Sequence, residues 1–207
     1  MIKTYGCSYT RYKWPTWADF LKISYKKLEN YGMPGNANTF IAKTIKQTAR
    51  SGDKIIVMWS SFNRVHNEKL YKIKGHGEGV YTGKKFSLEY LWNQSIKSIY
   101  ETNTFCKKNN ITIYNLSAFV FEMGETKKVN KFKIKYDVNF SKWPQDLSSF
   151  CYENPSNEKE NDLHPTPSQH YQYCKKVVGP YIGVKIKPIK KNYLIKLNKI
   201  GVSVSKK

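Results

Sequence analysis

The six residues Lys54-Ile55-Ile56-Val57-Met58-Trp59 form the strongest strand pattern in the chain. The run is rich in β-branched side chains and is apolar at successive positions, so both of its faces are expected to be buried. Strands of this kind belong to sheets that helices cover on both sides. The segment therefore predicts an α/β protein.

Strands and helices are predicted to alternate on either side of this segment, and residues 1–182 are expected to form one domain. Strand patterns occur at Ile2–Gly6 and Ile111–Leu116, and helical spacing of apolar residues occurs at Trp17–Leu28, Phe40–Thr48, Leu88–Phe105 and from Pro165 onward. Residues 65–85 are polar and rich in glycine, which indicates a long loop or lid, and residues 122–160 show no clear period. The pattern predicts a three-layer α/β/α fold with a mostly parallel sheet.

Composition excludes several protein classes. With 207 residues and 40% hydrophobic residues, the chain can bury a core and is not of the disordered class. Its apolar runs are shorter than the roughly 18 residues of a membrane-spanning helix, and no apolar leader follows Met1, so a cytoplasmic protein is expected. The four cysteines lie too far apart for metal-chelate spacing, which favours reduced thiols and no structural metal.

The charge is strongly basic, at +21, and 33 of the 36 cationic side chains are lysine. No acidic residue follows Asp162, and residues 183–207 are predicted to form a separate lysine-rich extension, either an edge strand or a basic arm. A surface of this kind attracts anions in a salt-dependent manner. An anionic partner for the extension is therefore one expectation.

Three short motifs carry the side chains that could perform chemistry. The first, Gly6-Cys7-Ser8, follows the first strand and places a hydroxyl at the edge of the sheet where α/β proteins bind ligands. In the second, Asn30 to Asn36, the glycine at position 35 lets a backbone N–H approach a substrate oxygen. The third combines Asp162 with His164 and supplies a base and a carboxylate that can orient it.

Taken in this order, the motifs resemble those of the SGNH (GDSL-like) hydrolases, in the variant found in phages and other viruses. Gly6-Cys7-Ser8 matches the family's first block with Cys in place of Asp, and Asn30, Gly32 and Gly35 match the second. His164-Pro165, followed by His170 on the last helix, matches the final block. The resemblance covers about residues 1–180 and implies a flavodoxin-like SGNH architecture.

The resemblance also implies roles for individual residues. Ser8 would be the nucleophile and His164 the base. Asp162 would orient the imidazole, although the family's Asp usually stands three residues before the His and position 161 is Asn. The Ser8 and Gly35 N–H groups and the Asn63 side chain, or alternatively Ser61, would form the oxyanion hole. Arg64 has no counterpart in the common motif, and either an anionic substrate group or a surface ion pair would account for it.

Two classes of function follow. The first is a serine esterase or deacetylase that hydrolyses short acyl esters, for example O-acetyl groups on a glycan, through an acyl-serine intermediate and without metal or cofactor. Acyl transfer to another acceptor would use the same residues. The second is a catalytically inactive structural or binding protein, for example a virion component, whose basic extension binds an anionic partner.

Overall fold

The computed structural model describes residues 1–64, 86–120, 135–156, 164–190, 192–194 and 196–197. Three of the sequence predictions therefore fall outside the described residues: the loop or lid at 65–85, the carboxylate of Asp162, and the last ten residues of the basic extension.

Four parallel strands form the sheet, in the order β2-β1-β3-β4. They are β1 (Ile2–Tyr5), β2 (Leu28–Asn30), β3 (Lys54–Trp59) and β4 (Thr112–Ser117). The prediction of an α/β protein with a parallel sheet is confirmed. Tyr5 lies opposite Val57 in the register of β1 and β3. Because neighbouring parallel strands end at one edge, the loops that follow β1 and β3 emerge side by side.

Six α-helices occur in the described part of the chain. They are α1 (Trp17–Ser24), α2 (Asn38–Thr48), α3 (Leu88–Lys108), α4 (Leu147–Glu153), α5 (Pro167–Tyr173) and α6 (Gly179–Tyr181), with a π-helical stretch at Cys174–Val178. Helices pack against both faces of β3. Ile56 and Met58 join a core with α1 and α5, whereas Ile55 and Val57 join a second core with α2 and α3. This alternation explains why β3 is apolar at every position after Lys54.

Two sequence predictions about secondary structure were wrong. Helix α1 ends at Ser24 instead of reaching Leu28, because Tyr25 is extended and Leu28 pairs with Ile2 as the first residue of β2. The stretch 122–160, predicted to be irregular, contains α4. The Asp146 carboxylate accepts a hydrogen bond from the Ser149 N–H at 2.8 Å and so caps this helix.

The described part of the basic extension packs on the domain. Ile186 and Leu197 are buried in the core with α1 and α5, whereas Lys185 and Lys187 are exposed. The Lys187 N–H donates to Ser24 Oγ at 2.9 Å, which ties the extension to α1. None of its described residues forms a strand, so an edge strand is not found there. The domain boundary at residue 182 stays a prediction.

The structure also bears on the cysteines and on membrane insertion. All four cysteines are free thiols, and Cys7, Cys106 and Cys174 are buried. Among the residues described, no helix combines the length and the apolar character that crossing a membrane requires.

Candidate active site

Ser8 lies in a tight turn directly after β1. The Cys7 carbonyl accepts a hydrogen bond from the Thr10 N–H at 2.9 Å, so the chain turns back at once beyond the sheet edge. Gly6 is required for space: a Cβ there would lie 2.8 Å from the Met58 carbonyl oxygen and would collide with the Thr10 hydroxyl. The turn leaves Ser8 only 4% exposed. Ser8 therefore lies at the carboxyl end of the central strands, where the sequence placed its hydroxyl, and the structure shows in addition that it is buried.

His164 reaches Ser8 across 156 residues of chain. Its Nε2 lies 2.8 Å from Ser8 Oγ, within hydrogen-bonding distance. Helix α5 begins just after it with a capping box, in which Gln169 Oε1 accepts from the Thr166 N–H at 3.0 Å. The geometry is that of a nucleophile beside its base. Asp162 lies outside the described residues, so its role in orienting the imidazole stays a prediction.

An aromatic residue that the sequence did not single out holds the imidazole. The Tyr12 ring stacks on the His164 ring with centroids 4.0 Å apart and planes 15° apart. Tyr9 adds a tilted contact at 5.2 Å, and Trp14 Nε1 donates to the Pro165 carbonyl at 3.0 Å. Stacking and this hydrogen bond fix the orientation of the ring beside Ser8. The motif search could not find Tyr12, because only the folded chain brings it to His164.

Replacement of Tyr12 by alanine is expected to lower kcat for ester hydrolysis about tenfold, with little change in KM, because the stack orients the base without binding substrate. Tyr12→Phe retains the stacked ring and is expected to retain kcat. Steady-state kinetics of both variants test this. Tyr152→Ala serves as a matched control, since that side chain is 89% exposed. If Tyr12→Phe lowered kcat as much as Tyr12→Ala, the effect of Tyr12 on kcat would not come from stacking of its ring on His164.

The second motif folds back onto the turn that carries Ser8. The Met33 N–H donates to the Gly6 carbonyl at 3.0 Å, and Asn36 Nδ2 reaches the same oxygen at 3.3 Å. Gly35, between them, has a φ of +78°, a conformation that favours glycine. The loop that carries Gly35 is thus hydrogen-bonded to Gly6, two residues before Ser8.

Asn38, two residues after the second motif, is bound to the end of β3. Asn38 Nδ2 donates to the Ser60 carbonyl at 3.0 Å, and the Ser60 N–H donates to Asn38 Oδ1 at 2.8 Å. Both residues are buried. This pair of hydrogen bonds connects the start of α2 to the end of β3. Both polar atoms of the Asn38 side chain thus bind the backbone of Ser60.

Asn63 and Ser61 lie in the loop that follows β3. Asn63 Oδ1 accepts from Trp92 Nε1 at 3.1 Å, which fixes the carboxamide with its oxygen towards α3. The Ser61 hydroxyl accepts from the Asn63 N–H at 3.3 Å. With its oxygen engaged in this way, Asn63 has its Nδ2 as the remaining donor. The choice between Asn63 and Ser61 as the side-chain oxyanion donor stays a prediction.

Buried polar atoms without partners concentrate at this edge of the sheet. Seven buried side-chain polar atoms of the described residues have no hydrogen-bond partner, and five of them lie here: Thr10 Oγ1, Asn36 Oδ1, Ser60 Oγ and the Nε and Nη1 atoms of Arg64. The other two are Trp17 Nε1 and His170 Nδ1. Folded proteins satisfy nearly all such groups, and exceptions are often found at functional sites. Their concentration around the motifs supports the assignment of this edge as the site.

His170, on α5, is fully buried, and its Nδ1 has no hydrogen-bond partner within the described ranges. Burial, and to a smaller extent the neighbouring His164, lowers the pKa of His170 to about 3. The ring is therefore neutral near pH 7 and is not a second cationic group beside His164.

No group of three or more His, Cys, Asp or Glu side chains that could hold a metal ion occurs among the described residues. Comparisons of the chain with models of protein families and with curated proteins found no match. The resemblance to SGNH hydrolases therefore depends on the motifs themselves.

Proposed function

We propose that the protein is a serine hydrolase of short acyl esters, with the three-layer α/β/α architecture of SGNH hydrolases. The observation that carries the proposal is the 2.8 Å distance between Ser8 Oγ and His164 Nε2. A buried serine hydroxyl is a weak nucleophile until a base removes its proton, and an imidazole at this distance can do so. O-acetyl groups on a glycan are the substrate class that the resemblance suggests.

In this proposal Ser8 attacks the ester carbonyl while His164 takes its proton. The negative charge that develops on the carbonyl oxygen is stabilised by the Ser8 and Gly35 N–H groups and by Asn63 or Ser61. His164 then protonates the leaving alcohol, and water attacks the acyl-serine with His164 again as base. Asp162 orients the imidazole. Tyr12 is a positioning residue, since its ring stacks on the imidazole of His164 and keeps the two planes nearly parallel.

The proposal is tested by hydrolysis of 4-nitrophenyl acetate together with covalent labelling by a fluorophosphonate. A serine made nucleophilic by a neighbouring base is expected to attack the phosphorus atom, displace fluoride and retain the phosphonyl group. Mass spectrometry of peptides from the labelled protein is expected to find the group on Ser8. Hydrolysis without labelling of Ser8 would contradict the assignment, and absence of both would contradict the proposed function.

A further inference from the structure

Arg64 has a partly buried guanidinium, and two of its nitrogen atoms have no partner in the described part of the chain. It lies in the loop after β3, directly after Asn63, and its backbone N–H donates to the Ser61 carbonyl at 3.3 Å and closes a turn. Its Nε and Nη1 are buried, and neither has a hydrogen-bond partner among the described residues. A buried cationic group without partners is costly, because it has lost water and gained no compensating charge.

Two other cationic side chains of this protein, the buried Lys3 and the exposed Arg50, do have partners within the fold. Lys3 Nζ lies 2.7 Å from Asp53 Oδ2 and 2.7 Å from the Thr48 carbonyl. The guanidinium of Arg50 donates to the carbonyls of Gln47 and Ala49 at 2.9 and 3.0 Å. None of the ion pairs found among the described residues includes Arg64, so the surface ion pair considered from the sequence is not found there.

The position of Arg64 in the fold links it to the proposed reaction. The loop that carries it begins at Ser60, which is bound to Asn38, and leaves β3 at the edge where β1 ends. Ser8 follows β1 at that same edge. The turn closed onto Ser61 keeps Arg64 close to the end of β3. The loop that carries Arg64 therefore leaves the sheet beside the turn that carries Ser8.

We propose that Arg64 binds an oxyanion on the substrate, a carboxylate or a phosphate, so that the preferred substrates are anionic esters; this rests on the proposed esterase function. A guanidinium presents its donors in a planar fork that matches the oxygens of carboxylate and phosphate. A carboxylate or phosphate on the substrate would then be the hydrogen-bond partner of Arg64 Nε and Nη1. Lysine, the cation that the chain uses almost everywhere else, lacks this fork.

The test compares esters that differ only in charge. A carboxylate on the alcohol side is represented by 4-acetoxybenzoate, and one on the acyl side by 4-nitrophenyl hydrogen succinate, each with its neutral methyl ester. A phosphate is represented by 4-acetoxyphenyl phosphate. The wild-type protein is expected to prefer at least one anionic ester. Arg64→Gln is expected to lower kcat/KM for that ester about 30-fold and to leave the neutral esters unchanged. Arg64→Lys is expected to lie between.

Lys22→Gln is the matched control, because it removes one positive charge from an exposed position on α1 and should leave the preference intact. An anionic preference that survives in Arg64→Gln, or no preference in the wild-type protein, would overturn the proposal. Calorimetric binding of the same esters to Ser8→Ala protein separates the two proposals. Binding that depends on Arg64, without any hydrolysis by the wild-type protein, would refute the esterase function and support the anion site. Binding of equal strength with and without Arg64 would refute the anion site.

Discussion

Ser8→Ala is expected to lower kcat/KM for 4-nitrophenyl acetate by about 10⁴-fold or more, because it removes the hydroxyl that lies 2.8 Å from His164 Nε2 and that would attack the ester. The methyl group that remains cannot form the acyl intermediate. The substitution removes one oxygen from a turn whose shape depends on Gly6 and on the Cys7 carbonyl, so the fold should be preserved. Steady-state kinetics, with circular dichroism to confirm folding, measure the effect.

His164→Ala and its combination with Ser8→Ala show whether the two side chains act in the same step. His164→Ala is expected to cost about as much as Ser8→Ala, and the double variant no more than either, since groups that act in one step are strongly non-additive. Cys7→Ala is the control for the neighbouring thiol, which is buried in the core and should not affect turnover. Losses that multiply in the double variant would show that the two side chains act independently.

The fold could be predicted from the sequence where burial leaves a clear pattern. Strand β3 lies within the two cores, so every position after Lys54 had to be apolar, and the predicted bounds are those observed. Strand β2 was missed because it has only three residues, of which Glu29 and Asn30 are polar. Leu28 fits the helical spacing of α1 equally well, and only pairing with Ile2 decides its conformation.

The site was predictable to the extent that single segments carry its chemistry. Ser8 and His164 each stand at the end of an element, where a turn motif marks them, and the structure brings them together. What the sequence could not supply is contact between distant segments. The stack of Tyr12 on His164, and the burial of Arg64 Nε and Nη1 without a partner among the described residues, arise only from folding. Residue type alone does not distinguish a stacked tyrosine from an exposed one.

The second large effect is expected in stability, at the buried ion pair of Lys3 and Asp53. Their side chains are 4% and 7% exposed, and Asp53 Oδ2 also accepts from the Arg50 N–H at 2.8 Å. Asp53→Asn leaves the Lys3 ammonium buried without its countercharge. It is expected to lower the free energy of unfolding by about 3–5 kcal/mol at pH 7. Urea unfolding followed by tryptophan fluorescence measures the difference.

The effect of Asp53→Asn should depend on pH with a definite sign. Burial alone would raise the pKa of Asp53, but the hydrogen bonds from Lys3 and the Arg50 N–H outweigh it and hold that pKa below its usual value. The stabilisation is therefore fully present above the pKa of about 3.9 in the unfolded chain, and is lost as the pH falls through the lower folded value. The difference between wild type and Asp53→Asn should accordingly shrink as the pH falls below about 3.9.

The exposed ion pair of Lys46 and Glu101 is the control that shows whether the loss of stability in Asp53→Asn comes from burial of the pair or from the loss of a charge alone. These side chains are 40% and 42% exposed at a distance of 3.1 Å, and Glu101→Gln is expected to change stability by no more than about 0.5 kcal/mol. Lys3→Met combined with Asp53→Asn should be less destabilised than Asp53→Asn alone, because the stranded ammonium is then absent. Equal losses in both variants would show that the cost lies in packing around Lys3 and not in an uncompensated buried charge.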